Sequence, residues 1–301
     1  MKRKALFVCF LAALLLLGTQ PVFSQSEANI KGAMAFVNGQ LQARGEHVRL
    51  EVAEFYTYSH KVGQTVYFNN RTHQLGHHWV PGDPNRGGGT TITWLSDQTE
   101  GQAAGVTLEA TQAALNSAMD TWNTQTCAFI PLVQLPDYGI DWGYIQWLYE
   151  FGGVPGWYAD FTHAGWLPGA FFDTIWGPGA SDSILGATFT FVWVDDDSGE
   201  YTDMDNNHKL DVAFREVYYN NQFPWGIGTN WPIDVETIVL HESGHGVSIG
   251  HFGKLFETDA NGKFHFAPLA VMNAGYTQVQ QDLKATDIAS FCSIWAHWPM
   301  R

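Results

Sequence analysis

The 301-residue sequence predicts an α+β domain arranged around one histidine-bearing helix. Runs rich in β-branched and aromatic residues recur along the chain, as expected of strands. Apolar residues recur at helical spacing in two segments, 107–124 and 282–295. Between these segments, His241 and His245 lie four residues apart, so a helix would present both imidazoles on one face.

The N-terminus has the composition of an export signal. Three basic residues at 2–4 precede an apolar run at 5–17, and small residues follow at 22–24. The apolar run is too short for a comfortable membrane span. We therefore expect residues 1–24 to be a signal peptide, the mature chain to be secreted or periplasmic, and no membrane anchor to remain.

The chain is acidic. It carries 30 acidic and 15 basic residues, for a net charge of -15 that becomes -18 when the three basic residues of the signal are removed. No Lys or Arg lies between Arg86 and Lys209. This distribution argues against a nucleic-acid partner or an anionic membrane surface, and clustered carboxylates in an exported protein favour solubility and calcium sites.

A boundary is expected near residue 88. Strand-like runs at 48–52 and 65–68 precede a stretch at 81–89 whose Pro and Gly content is typical of a linker. We predict that residues 25–88 form an N-terminal segment, a candidate propeptide, and that residues 89–301 form the main domain.

Further elements follow from composition. The segment 136–179, dense in Gly, Pro and aromatic residues, predicts irregular loops that form either a satellite core or a wall of a binding cleft. Asn261-Gly262 between two apolar runs predicts a hairpin. Further strands are expected at 90–94, 129–135, 184–191 and 212–219.

Cys127 and Cys292 remain after removal of the signal. In an oxidising compartment such a pair favours a disulfide, and the alternative is two buried thiols. Neither cysteine has the spacing of a metal ligand.

The stretch from His241 to His251 has the spacing of a zinc site. Two imidazoles from one helix leave a tetrahedral ion two positions short, and a catalytic site needs a third protein ligand and a position for water. His251 becomes that ligand if the chain leaves the helix and turns back, and Gly250 supplies backbone freedom there. Glu242 would point beside the metal.

These residues resemble the H-E-x-x-H-x-x-G-x-x-H motif of the metzincins, a clan of zinc metallopeptidases. Ser248 stands where the family has glycine. Residues 268–276 resemble the methionine turn, with Met272 as its methionine, and Asp287 resembles the Asp that begins the last helix of matrixins. The resemblance covers about residues 90–298.

The matrixin-like resemblance implies a zincin with a twisted mixed sheet, a central zinc-site helix, a Met-turn and a C-terminal helix. It implies zinc bound by His241, His245 and His251, with Glu242 as general base. Tyr276 would assist the oxyanion, or simply pack. The strand at 184–191 resembles the edge strand that pairs with an extended substrate.

Latency in this family often depends on a propeptide, and many matrixins place a free cysteine over the zinc. No cysteine lies between Gln25 and Cys127, so that device is absent. Asp83, His77 or His78 would be alternative latency ligands, and the simpler interpretation is that they are solvated loop residues.

An acidic stretch has oxygen-bearing side chains at alternate positions and resembles a calcium loop, with His208 where a turn glycine is usual and Phe214 where a bidentate Glu would close the site. The alternative is a solvated acidic turn. The candidate calcium ligands are Asp203, Asp205, Asn207 and Asp211.

Together the sequence predicts a secreted, monomeric zinc endopeptidase that acts on a protein or peptide substrate, with Zn²⁺ as catalytic and Ca²⁺ as structural cofactor. One alternative is an exported, non-proteolytic carbohydrate- or protein-binding module with a structural zinc site. Another is a zinc hydrolase that acts on non-peptide bonds.

Overall fold

A computed structural model of the chain describes residues 22–58, 68–69, 74–258 and 263–300. The predicted signal peptide therefore lies outside the described residues, apart from its last three. The helices of the described residues are α1 Val22–Ala43, α2 Leu108–Asn123, α3 Tyr144–Leu148, α4 Gly169–Trp176, α5 Val235–Gly246 and α6 Ala285–Trp295, with a 3-10 helix at Pro84–Arg86.

The strands of the described residues are β1 Val48–Tyr58, β2 Phe68–Asn69, β3 Gln74–Leu75, β4 His77–His78, β5 Ile92–Ser96, β6 Leu132–Gln134, β7 Phe161–Leu167, β8 Ile184–Trp193, β9 Leu210–Asn220, β10 Trp225–Gly226, β11 Ile233–Asp234, β12 Lys254–Thr258, β13 Lys263–Ala267 and β14 Gly275–Tyr276. Eight of them form one sheet in the order β14-β1-β8-β9-β7-β5-β6, with β4 also paired to β9. The sheet is mixed and mostly parallel, since β8 alone pairs antiparallel with its two neighbours, β1 and β9.

Each face of the sheet carries its own apolar core. On one face α2, α5 and α6 pack through residues such as Trp122, Ile238 and Phe291. On the other face α1 and α4 pack through Val37 and Phe171, among others. This three-layer mixed arrangement is compatible with the predicted α+β class.

The helix predicted over 107–124, the hairpin and the disulfide are confirmed. Thr107 caps α2 as its Oγ1 accepts from Ala110 N, and β12 and β13 form the expected hairpin. Cys127 and Cys292 form a disulfide with Cα atoms 5.6 Å apart. Apart from these confirmed predictions, none of the described helices combines the length and apolarity that crossing a bilayer requires.

The predicted boundary at residue 88 does not separate two packed units. β1 belongs to the N-terminal segment, yet it pairs with β8 from Val48 to Thr57 and with β14 at its end. The expected linker is also anchored, because Arg86 forms a bidentate ion pair with Asp160. Cleavage of residues 25–88 stays a prediction, while the separate packing of that segment is ruled out.

Two predictions about strands were wrong. Strand β8 is not an edge strand, because β1 covers the side that was expected to be free. The segment 136–179 is not wholly irregular, since it contains β7 together with α3 and α4. All seven residues of β7 are buried, so its sequence lacks the alternation that identifies a half-exposed strand. The expected strand at 65–68 falls almost wholly outside the described residues.

Candidate metal centre

Helix α5 begins at a well-made cap. Asp234 Oδ2 accepts a hydrogen bond from Thr237 N at 2.9 Å, and Glu236 in the first turn suits the positive end of the helix dipole. The helix is buried along its length, with Ile238 and Val239 in the core. A rigid support for the histidines follows from this burial.

Tryptophan indoles hold the second half of α5. Three of them donate Nε1–H to main-chain carbonyls of the helix or of its C-cap: Trp122 to Leu240, Trp79 to Gly246, and Trp295 to Val247. Gly246 and Val247 lie at the end of the helix, where carbonyls have no helical partner, so two of these bonds help to satisfy buried acceptors, while the Trp122 bond adds a second donor to a carbonyl inside the helix.

Three imidazoles converge at the end of α5. His241 Nε2 and His245 Nε2 lie 2.9 and 3.0 Å from His251 Nε2. On the other side of the rings, His241 Nδ1 is 2.7 Å from the Val271 carbonyl and His245 Nδ1 is 2.8 Å from the Ile249 carbonyl. A carbonyl accepts only, so both Nδ1 atoms carry the proton and both Nε2 atoms turn a lone pair to the common centre.

The donor set fits a divalent zinc ion. Zinc–nitrogen bonds of 2.0–2.1 Å in a tetrahedron separate the nitrogens by roughly 3.3 Å, close to the observed spacing. Burial, with positive neighbours, lowers the pKa of His241 and His251 well below the usual value, which keeps them neutral. Burial has the same tendency at His245, but Glu54 outweighs it and raises the pKa of His245. These three side chains could therefore hold a metal ion.

The bend after α5 lies at Ser248. Its φ of 70° is in the left-handed region, where the related motif has glycine, whereas Gly250 does not have a positive φ. The Ser248 hydroxyl is held by Arg215 Nη2 at 3.1 Å and lies 3.2 Å from His78 Nδ1. The serine thus adopts the turn of the missing glycine and is fixed there by side-chain contacts.

Arg215 is a fully buried cation behind this bend. Its guanidinium donates to the Gly246 carbonyl, to His77 Nδ1 at 2.8 Å and to Thr190 Oγ1 at 3.1 Å. A cation at the C-terminal end of a helix is favourable. Sequence analysis did not identify Arg215; its one signal was the adjacent charged pair Arg215-Glu216 within an otherwise strand-like run.

The three candidate latency ligands lie elsewhere. His77 and His78 are buried against Arg215 and Ser248. Asp83 is buried and accepts from Trp193 Nε1 at 3.0 Å. The interpretation of these residues as solvated loop was wrong, because the strand β4 and the turn after it pack into the protein.

Glu242 is fully buried beside the histidines. Its Oε2 accepts from the Thr188 hydroxyl at 2.6 Å, while Oε1 has no hydrogen-bond partner among the described residues. Burial raises the pKa of Glu242 to about 7, although His245 and the Thr188 hydroxyl act in the opposite direction. A carboxyl group with this pKa exchanges its proton readily near neutral pH.

Met272 packs against the helix between the two histidines. A Cβ placed on Gly244 would lie 2.2 Å from Met272 Sδ, so any larger residue at this position would displace the methionine side chain. The turn is anchored because Val271 N and Met272 N donate to the carboxylate of Asp287 in α6. Met272 thus packs on α5 at Gly244, between His241 and His245, while its role as the apolar floor of a metal site stays a prediction.

Tyr276 is turned toward a loop. Its hydroxyl donates to the Thr229 and Asn230 carbonyls at 3.3 and 3.4 Å, and burial raises its pKa to about 12. The phenol that touches a predicted ligand is instead Tyr56 of β1, whose ring stacks on His241 at 3.9 Å. Sequence analysis missed Tyr56 because nothing local links it to α5.

The acidic loop brings three of its four predicted residues together. Oxygens of Asp203, Asp205 and Asp211 lie within 4.8 Å of one another. Asn207 Oδ1 accepts from Lys209 N at 2.8 Å. His208, where glycine was expected, has a φ of 65° and so adopts the conformation of that glycine.

A further group of carboxylates was not predicted. Oxygens of Asp97, Glu100 and Asp141 also lie within 4.8 Å of one another. Burial raises the pKa of Asp97 to about 6, and burial together with the other two carboxylates raises that of Glu100 to about 7. The three residues have no motif spacing, so the sequence alone did not connect them.

A scan against models of protein families and a search of curated proteins found no match to this chain. The interpretation of the site therefore depends on its own geometry.

Proposed function

We propose that the protein is a secreted zinc endopeptidase, a matrixin-like member of the metzincin clan. The observation that carries the proposal is the convergence of three imidazole Nε2 atoms beside the buried carboxyl of Glu242. Two of the imidazoles and the carboxyl belong to α5, and the third imidazole, His251, follows the helix. The left-handed bend at Ser248 and the packing of Met272 on Gly244 support it further.

The assignment of roles follows from the donor set. His241, His245 and His251 would hold zinc and leave one tetrahedral position for water. When bound here, zinc supplies Lewis-acid polarisation of that water and of the scissile carbonyl. Glu242 accepts the proton of the water and later gives it to the departing amine, so the carboxyl ends each cycle as it began. Thr188 keeps this carboxyl in one orientation.

Tyr276 is the proposed stabiliser of the oxyanion. Its hydroxyl must exchange the carbonyls of Thr229 and Asn230 for the substrate oxygen, because these acceptors hold it in the described structure. Substrate access also requires movement, since His241, Glu242 and His245 are fully buried.

We also propose a structural calcium ion at the acidic loop, held by Asp203, Asp205 and Asp211 with Asn207. Carboxylate and amide oxygens are the ligands that calcium prefers. The environment that we propose is extracellular or periplasmic, with a protein or peptide substrate, no nucleic-acid partner and a monomeric enzyme.

The test is hydrolysis of casein or gelatin by the purified full chain, with bound metal quantified in the same sample. We expect cleavage that a chelator stops and that Glu242→Gln abolishes without loss of metal. Glu236→Gln is the matched control, because Glu236 lies in the first turn of α5 and bonds Ser117.

The other outcomes point to the alternatives. Stoichiometric zinc without any hydrolysis would favour the exported binding module with a structural zinc site. Chelator-sensitive turnover of ester or amide probes without cleavage of proteins would favour a hydrolase of non-peptide bonds. Full proteolysis by Glu242→Gln would contradict the assignment of the base.

A further inference from the structure

Strand β1 places two side chains on the candidate metal ligands. Alternate residues of a strand point to the same face, so Glu54 and Tyr56 both face α5. Glu54 reaches His245, and Tyr56 reaches His241. Both contacts come from the segment that the sequence marked as a candidate propeptide.

Glu54 is a buried carboxylate with no exposed surface. Its Oε2 lies 2.9 Å from His245 Nδ1, but the Nδ1–H bond points to the Ile249 carbonyl, so the contact is electrostatic and not an aligned hydrogen bond. A carboxylate beside the outer nitrogen of a ligating imidazole makes the inner nitrogen a stronger ligand and fixes the ring.

Tyr56 is equally buried and stacks on His241 with an interplanar angle of 9°. Flat stacking prevents rotation of the imidazole about its Cβ–Cγ bond. The ring plane that aims His241 Nε2 at the centre is therefore held from two sides, by Tyr56 and by the Val271 carbonyl.

We propose that Glu54 and Tyr56 are positioning residues of the metal centre, and that strand β1 consequently belongs to the mature protein. The inference rests on the proposed metal site and not on peptidase activity. The contacts of β1 with the histidines then help to form the metal centre, and residues 48–58 are not part of a removable segment.

Packing supports retention of the strand. Residues on both faces of β1 are buried, among them Val52 and Phe55, and removal would leave the edge of β8 without its hydrogen-bonded neighbour. Removal would also take away Glu54, the carboxylate whose charge favours the buried Arg215 cation. A chain cut after β1 would thus lose a strand, a core layer and a counter-charge together.

The first experiment measures the affinity of the full chain for Zn²⁺ by competition with a chromogenic chelator. We expect Glu54→Gln to raise the Kd about tenfold, the lower range for loss of an outer partner of a ligating histidine. Glu51→Gln is the matched control on the same strand, because the Glu51 side chain bonds Tyr201 and contacts no candidate ligand in the described structure, and it should leave the Kd unchanged.

A second pair of variants makes the test independent of Glu54. Tyr56→Phe keeps the ring and should retain wild-type affinity and the Co²⁺ absorption spectrum, whereas Tyr56→Leu should lose affinity and alter the spectrum. Thermal unfolding of the metal-free variants identifies effects on folding alone, because these lower the melting temperature without changing the Kd of the folded protein.

Wild-type Kd values in both Glu54→Gln and Tyr56→Leu would overturn the inference. So would a naturally processed chain that begins after residue 58, found by N-terminal sequencing, and still binds zinc with full affinity. Zinc binding without proteolysis would reject the peptidase function and leave this inference standing. A wild-type chain that binds no zinc would reject both.

Discussion

Two groups of three side chains bring metal-ligand atoms close together: the histidine centre, formed by His241, His245 and His251, and the acidic loop, with Asp203, Asp205 and Asp211. Different hydrogen bonds hold the side chains of the two groups in place. In the histidine centre the outer nitrogens of His241 and His245 face carbonyls, and the inner nitrogens face one another. In the acidic loop the carboxylates accept main-chain N–H groups: Asp203 from Asn207 and His208, and Asp211 from Met204.

From this difference we predict which group depends more strongly on a bound ion. Backbone amides already satisfy most of the loop's carboxylate oxygens, so the loop can keep its shape when empty. The lone pairs of His241 Nε2 and His245 Nε2 face one buried point beside His251 Nε2, so a proton or a metal ion at that point would stabilise the histidine centre. Zinc should therefore matter for function, and calcium mainly for stability.

The largest effect is expected at a zinc ligand. His245→Ala removes one of three proposed ligands and should weaken zinc binding by more than about 100-fold, beyond the range seen when only an outer partner is lost. Competition with a chelator measures the affinity. His297→Ala is the control, since that imidazole is exposed on the surface. Equal zinc affinity in both variants would contradict the role of His245 as a zinc ligand.

A second prediction uses a buried carboxyl far from both groups. Burial raises the pKa of Glu216 to about 7 from the ordinary 4.5, although Tyr144 N, Ile145 N and the Tyr218 hydroxyl favour its charged form. The folded state thus favours the protonated group. Its stabilising contribution is complete below pH 4.5 and is lost as the pH rises through 7.

The size follows from the shift. A rise of two to three pKa units corresponds to about 3 kcal/mol in the free energy of unfolding. Urea unfolding between pH 4 and 8 should show wild-type stability falling by up to that amount relative to Glu216→Gln. The fall should be independent of zinc. A zinc-dependent difference would mean that Glu216 communicates with the histidine centre.

A third prediction concerns the packing of Met272 against Gly244 of α5. Gly244→Ala would place a methyl group against Met272 Sδ and within 3.0 Å of Trp122. Overpacking of this kind costs about 1–3 kcal/mol in the free energy of unfolding. Gly39→Ala in α1 has nothing within 4 Å and should stabilise by about 0.5–1 kcal/mol. Urea unfolding distinguishes opposite signs for the same substitution.

Local sequence patterns could predict the histidine helix and its cap. The spacing of His241 and His245 depends only on helix geometry, and Asp234 lies directly before the helix it caps. The same holds for the hairpin of β12 and β13, whose two strands are neighbours in sequence. Short-range geometry carried all of these predictions.

The contacts that β1 makes with the histidines could not be predicted from local sequence patterns. Glu54 lies 191 residues before His245, and no periodicity shows which strand pairs with β8. The bend at Ser248 likewise depends on Arg215, which is 33 residues away and belongs to a different strand. Ser248 departs from the glycine of the motif, and the contacts that hold it in the turn are made only in the folded chain.

The smallest effect is expected at the acidic loop and completes the comparison. Ca²⁺ at ten times its Kd stabilises by about 1.4 kcal/mol, which raises the melting temperature by roughly 2–4 °C. Asp211→Asn should abolish the rise, while Asp195→Asn, in the preceding exposed turn, should not. Burial raises the pKa of Asp211, so the calcium effect should weaken as the pH falls through that raised value. Zinc affinity should be unchanged in both variants, because the loop shares no ligand with the histidine centre. If calcium still raises the melting temperature of Asp211→Asn, the calcium ion binds elsewhere.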